Sequence, residues 1–311
     1  YIFVSAQRRR GEMEETMNLE GQNLESLRKM IRHLQEENQE LKTLLKKANI
    51  PFNESTEQTT NEKLNEDVCI KDTYITDILA AYFLTLFQGR RDVYALRGAK
   101  GGYFPQCYNR WKDNCPKQNK KKISCQECPY REWKKLDREV GKRHLLGYKD
   151  NCTDVIGLYP LLEDDTCKLL VFDFDNHDEE NVENNDWKDE INAIRKICHE
   201  NGIDVLIERS RSGRGAHAWI LFKEFIPASL AREFGLLLIE KGAQSINLKS
   251  FKYYDRMFPT QDHSEGLGNL VALPLQGQAL RQGNSVFVDE NWNAYYDQWK
   301  LLRTIHQLLS L

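Results

Sequence analysis

The chain has 311 residues, 40% of them hydrophobic and 29% charged, with a formal net charge of −3. That length holds one large domain or two small ones with a sizeable core, and the near-balance of charge excludes a uniformly basic nucleic-acid coat and an acidic disordered chain alike. The longest apolar run, "FGLLLIE" at 234–240, falls far short of the roughly 18 residues of a membrane span, and no basic-plus-apolar leader precedes the first helix. The expectation is a soluble cytoplasmic protein with no membrane partner. The chain begins with Tyr1 and stops inside a helical pattern, "YYDQWKLLRTIHQLLSL", so it is expected to be a piece of something longer.

Residues 1–16 read as a tail. From 17 to 48 apolar residues recur at alternating steps of three and four: Met17, Leu24, Ile31, Asn38 and Leu45 on one heptad position, Leu27, Leu34, Leu41 and Ala48 on the other. This register predicts a coiled coil, and leucine at the second position with one asparagine at the first favours a parallel homodimer; the plainer reading is a solitary surface helix. Residues 49–67 are polar and turn-rich, with a proline that stops the helix, and read as a linker. Everything from 68 to 311 reads as globular. Helical spacing appears over 73–89 and 183–202 and in "SLAREFGLLLIEKGAQ", while "DVIGLYPL", "KLLVFDFD", "IDVLIERS", "GAHAWILF" and "GNLVALPL" read as strands. Alternation with hairpin-like returns predicts an α+β class with a mixed or antiparallel sheet.

Eight cysteines in a chain of this kind argue against a disulfide scaffold. Four of them, Cys107, Cys115, Cys125 and Cys128, cluster within "CYNRWKDNCPKQNKKKISCQEC". A CxxC pair brings two thiolates to one ion and a lysine-rich loop can bring two more, which suits a closed structural Zn²⁺ site; free thiols clustered by chance are the alternative. From Arg110 to Arg143 there are twelve Lys or Arg against five Asp or Glu. Interleaved with Tyr108, Trp111, Tyr130 and Trp133, they form either a solvated face or a surface for phosphates and stacked bases. From Glu163 to Glu190 the balance reverses to twelve acids and two bases.

Within that acidic stretch, "LLVFDFD" carries Asp173 and Asp175 two residues apart. On an extended strand they project to one side about 6–7 Å apart, with Phe174 turned to the other. Mg²⁺ or Mn²⁺ would relieve their repulsion, and a pair of such ions activates a hydroxyl nucleophile and a leaving phosphate. A DxD alone equally caps a turn. Further on, "ERSRSGRGAHAWILF" (208–222) brings Ser210, Arg211, Ser212, Gly213, Arg214, Gly215 and His217 to the entrance of an apolar strand. Hydroxyl, guanidinium and imidazole groups beside glycines make a cradle for a triphosphate. A plain Gly-rich hairpin would not gather two arginines and a histidine.

DxD on a strand, a Ser-Gly-x-Gly-x-His turn leading into a strand, and a third acid before another strand together resemble the archaeo-eukaryotic primase superfamily. The likeness is closest to the primase domains of TOTE conflict systems, through "GRRDVYALR" (89–97), "GGYFPQCYNRW" (101–111), "HLLGY" (144–148), "VIGLYPLLEDDTCKLLVFDFD" (155–175), "SRSGRGAHAWILF" and "FPTQDHSEGLGNLVALPLQGQALRQGNSVFVDEN" (258–291). It covers roughly residues 70–300 and omits the coiled coil. The resemblance implies a primase-polymerase whose catalytic ions are held by Asp173, Asp175 and a third carboxylate. It implies that His217, with Ser210, Ser212 and Arg214, meets the nucleotide phosphates, and that the cysteines form a zinc insert at about 105–130. "YYDRMFPTQD" offers Asp255 and Asp262 as the third acid; Asp262 is chosen because it lies twelve residues before Pro274, a gap like that in related primase-polymerases. Arg281 is expected to reach the nucleotide or template. Implied partners are a single-stranded DNA or RNA template, a primer, nucleoside triphosphates and a helicase or nuclease. The competing readings are a catalytically silent nucleic-acid adaptor and a metal-dependent nuclease.

Overall fold

The computed structural model describes residues 70–118, 123–176 and 186–308. The expected tail, coiled coil and linker lie outside the described residues, as does Cys69.

"TCKLLVFDFD" is apolar on both sides and forms the long strand β4 (Thr166–Asp175). Such a run belongs inside a sheet that is covered on both faces. Its partners are β6 (Gly215–Pro227) on one edge and β7 (Tyr254–Phe258) on the other, and β5 (Leu206–Arg209) and β9 (Val286–Phe287) complete an antiparallel sheet of order β7-β4-β6-β5-β9. A second antiparallel sheet, in the order β2-β1-β3-β8, comprises β1 (Ala95–Arg97), β2 (Tyr103–Pro105), β3 (Ile156–Leu158) and β8 (Val271–Ala272). The sheets are antiparallel throughout, within the expected α+β class.

The two faces of β4 serve two cores. Leu170, Phe172 and Phe174 pack with residues of α3 (Asp186–Glu200) and α4 (Ala228–Ser245). Leu169 and Val171 instead join Ile156, Leu158, Val271, Trp219 and Leu221 in a cluster shared by both sheets, α1 (Asp77–Leu86) and α2 (Arg138–Leu146). Within the stretch 183–202 expected to be helical, α3 is amphipathic: Trp187, Ile191, Ile194 and Cys198 are buried along one stripe. Helix α2, unmarked by strong periodicity, is delimited by its ends. Asp137 accepts from the Val140 N–H at 2.9 Å, and Gly147 closes the helix in the left-handed region.

Two short helices, α5 (Gly277–Leu280) and α6 (Gln298–Thr304), complete the described part. The strand expected from "GNLVALPL" shrinks to Val271–Ala272, because Pro274 has no N–H to give a ladder and Leu275 takes a positive φ of 61°. Among the described residues no helix is long and apolar enough to cross a membrane.

Candidate active site

Past Val171 the inter-sheet face of β4 changes from apolar to acidic. Asp173 and Asp175 extend the Leu169–Val171 row into a cleft of about 430 Å³, on which Ser210, Ser212, His217, Asp255, Arg256 and Tyr103 also border. Strand β6 sets His217 opposite Asp173 and Gly215 opposite Asp175. Gly215 is required there, since a Cβ would lie 2.4 Å from Asp175 Oδ1. The turn before it is closed by the Gly213 N–H on Ser210 O at 3.0 Å and the Ser210 N–H on Gly215 O at 2.9 Å, with Gly213 at φ 76°.

Strand β7 supplies the other wall. Asp173 pairs with Arg256 and Phe174 with Tyr254, so Asp255 is an extra residue in a β-bulge. Neighbours on a regular strand face opposite ways; the bulge lets Asp255 and Arg256 both border the cleft. Arg256 Nε donates to Asp255 Oδ2 at 2.7 Å. That bond raises the guanidinium pKa against the pull of partial burial, helped by the charges of Asp255, Asp173 and Asp175.

His217 lies between two carboxylates. Its Nδ1 is 2.9 Å from Glu208 Oε2 and its Nε2 is 3.4 Å from Asp173 Oδ1. Burial opposes charge on the ring, yet the Glu208 and Asp173 carboxylates outweigh it and hold the imidazole well above its ordinary pKa. Tyr103, at the opposite wall, has its phenol pushed up to about 12 by burial.

Of the residues expected from sequence, Asp173, Asp175, Ser210, Ser212 and His217 come together on this cleft. Asp262 does not. Its carboxylate accepts from Arg232 Nε at 2.6 Å, on helix α4, and Asp255 stands at the cleft in its place. Residues 259–270 form no strand, so distance along the chain to Pro274 says nothing of distance in space. Arg214 is exposed on the turn while Arg211 borders the cleft. Arg281 is turned elsewhere, donating to the carbonyls of Leu146 and Gly147 at 3.0 and 2.7 Å at the end of α2. Glu208, Arg256 and Tyr103 carried no assigned role in the sequence, while Arg211 was read only as part of the phosphate-binding turn. The one legible signal was an acid, Glu208, inside the apolar strand "DVLIER".

The TOTE conflict system, Archaeo-Eukaryotic Primase domain family matches residues 79–310, which include every strand of both sheets. The chain belongs to this family. Among solved structures, the "Polymerase Domain from Mycobacterium tuberculosis Ligase D in complex with DNA" aligns at 13% identity over 75% of this chain and 85% of that one, with a TM-score of 0.39. No curated protein matches the chain.

In this primase domain the four clustered cysteines border one small cavity together with Phe104, Tyr130 and Trp133. Cys107 Sγ accepts from the Asn109 and Glu132 backbone N–H groups at 3.4 and 3.3 Å. Backbone hydrogen bonds, foremost at Trp111, lower the Cys115 pKa against slight desolvation. Among the described residues no group of three or more His, Cys, Asp or Glu is arranged to hold a metal ion. The donor chemistry nevertheless fits two kinds of ion: four sulfurs with N–H donors suit Zn²⁺, and the three carboxylates of the cleft suit a hard cation. At and around the cysteine cavity the primase domain exposes Phe104, Tyr108, Trp111 and Tyr130. The Arg110 guanidinium lies 4.9 Å from the Phe104 ring centre and 5.2 Å from that of Trp111.

Proposed function

We propose that the domain performs template-directed nucleotidyl transfer, as a DNA primase, a DNA polymerase or both, within a conflict system. The observation that carries this reading is the convergence of Asp173, Asp175 and Asp255, from two adjacent strands, on one cleft that His217 and the Ser210–Ser212 turn also border. Asp255 replaces Asp262 as the third carboxylate of the proposal.

Asp173, Asp175 and Asp255 would hold Mg²⁺ or Mn²⁺. When bound, such ions supply acidification of the attacking 3′-hydroxyl and neutralisation of charge on the departing pyrophosphate. The chain's own groups do the rest. His217 Nε2, Arg211 and the Ser210 and Ser212 hydroxyls offer donors to the triphosphate from the β6 side, orienting the α-phosphate toward the acids. Arg256 offsets the charge of the three carboxylates and moderates their repulsion in the free enzyme. Tyr103 and Phe258 form the less polar wall against which a sugar or base can rest. The cysteine-bearing segment, bound to Zn²⁺, would be the rigid support of a strand-binding surface. There Phe104, Tyr108 and Trp111 stack on bases while Arg110 and Lys117 meet phosphates.

The test is an incubation of the protein with single-stranded DNA, labelled nucleotides and Mn²⁺ or Mg²⁺, with and without a primer. Labelled strands from the wild type but not from Asp173→Ala or Asp255→Asn support the reading. Strand binding without any product in all lanes overturns it in favour of an adaptor, and shortened template with no incorporation overturns it in favour of a nuclease.

A further inference from the structure

Glu208 is the most deeply buried acid beside the cleft, with only 1% of its surface exposed. A carboxylate in such a place is costly unless every lone pair is met, and a side chain like that of its neighbour Ile207 would fill the space at no such cost. Three donors meet it. Trp219 Nε1 donates to Oε2 at 2.9 Å, Ser285 Oγ donates to Oε1 at 3.1 Å, and His217 Nδ1 lies 2.9 Å from Oε2. Trp219 and Ser285 are themselves enclosed and hold the carboxylate still. Of the three donors only His217 borders the cleft.

The arrangement is built by register. Glu208 lies directly across from His217 in the β5–β6 pair and across from Phe287 in the β5–β9 pair. Trp219, two residues along β6, faces the same side as His217. With a carboxylate fixed against Nδ1, that nitrogen must carry a proton, and the ring can present only Nε2 to the cleft. Without Glu208 the imidazole is free to rotate half a turn and exchange its nitrogens.

We propose that Glu208 is a positioning residue: from within the core it fixes the orientation of His217 so that Nε2 is the atom offered to the phosphates of the incoming nucleotide. This rests on the nucleotidyl-transfer reading, since it specifies how one contact of that site is held.

The experiment joins kinetics of Glu208→Gln with an imidazole ¹⁵N spectrum of the wild-type protein. Glu208→Gln is expected to raise the nucleotide KM roughly tenfold, the scale of one charge-assisted hydrogen bond, while affinity for the template strand stays unchanged. A lower melting temperature with an unchanged KM would mean that Glu208 serves the fold alone, and overturns the proposal. Should the variant fail to fold, the spectrum decides: a slowly exchanging, downfield Nδ1 proton on His217, the mark of a hydrogen bond to a carboxylate, supports the proposal, and an Nδ1 proton that exchanges freely with water sinks it. A wild type that makes no product removes the polymerase reading, while the same spectrum still reports which way the ring is held.

Discussion

Two histidines lie deep in this domain with a partner at each ring nitrogen, and they do opposite things. His144, on α2, donates from Nε2 to the Pro274 carbonyl at 2.8 Å and accepts at Nδ1 from the Ile156 N–H at 3.2 Å. Both partners are neutral backbone, so burial lowers its pKa to about 4 and the ring stays uncharged. It ties α2 to β3 and to the end of β8 as a structural pin. His217 has carboxylates in both places, and the same enclosure leaves it with a raised pKa at the edge of a cleft. Burial is common to both; the charge of the partners separates a ring held neutral from one held charged.

That contrast can be broken in several places. Asp255→Asn should reduce primer extension by roughly a thousandfold, because several kcal/mol of charge stabilisation at the reacting phosphate depend on the ions it would hold. Extension within tenfold of wild type would return the third-acid role to another residue. His217→Gln should lower kcat/KM for the nucleotide about a hundredfold with little change in melting temperature. His144→Phe should do the reverse. Leaving the Pro274 carbonyl and the Ile156 N–H unpaired is expected to cost about 2–4 kcal/mol in denaturant titration, while the folded fraction keeps its specific activity.

The acid dependence sharpens the same comparison. The His144 pKa is depressed in the folded state, so the unfolded chain binds the proton more readily. Its contribution to stability is complete above pH 6.5 and declines as pH falls toward 4. The total, on the order of 3 kcal/mol, follows from a shift of two to three pH units. Denaturant midpoints measured between pH 7 and 4 should show this fall in the wild type and lack it in His144→Phe. The smallest effect belongs to Asp262→Asn, which removes an exposed pair with Arg232 and should change extension by less than about twofold.

Much of the site was legible in local pattern. The strand "KLLVFDFD", the turn "SRSGRGAH" and the amphipathic helix each announce themselves within one short stretch of sequence, without reference to what they pack against. The place of Asp255 was not legible in this way. It depends on a bulge that becomes visible only when β7 is paired with β4, and no count of residues to Pro274 contains that information. Glu208 was hidden for a related reason: one acid on an apolar strand has no meaning until its cross-strand partner is known. Arg281 was expected at the nucleotide or template on the resemblance alone, whereas in space the open end of α2 claims its guanidinium.

The bulge in β7 makes this wall of the cleft sensitive to length in a way that it is not sensitive to composition. Glu190, on α3, accepts the N–H groups of Lys252 and Tyr253 at 2.7 and 2.8 Å and so clamps the start of the strand, while Phe258 pairs with Val171 at its end. Between two fixed ends, loss of one residue would erase the bulge and turn Asp255 toward the helices, with an aromatic ring brought forward in its stead. Most side chains here can therefore change with the bulge intact, whereas a single-codon deletion between 253 and 257 is expected to abolish primer extension without unfolding the domain.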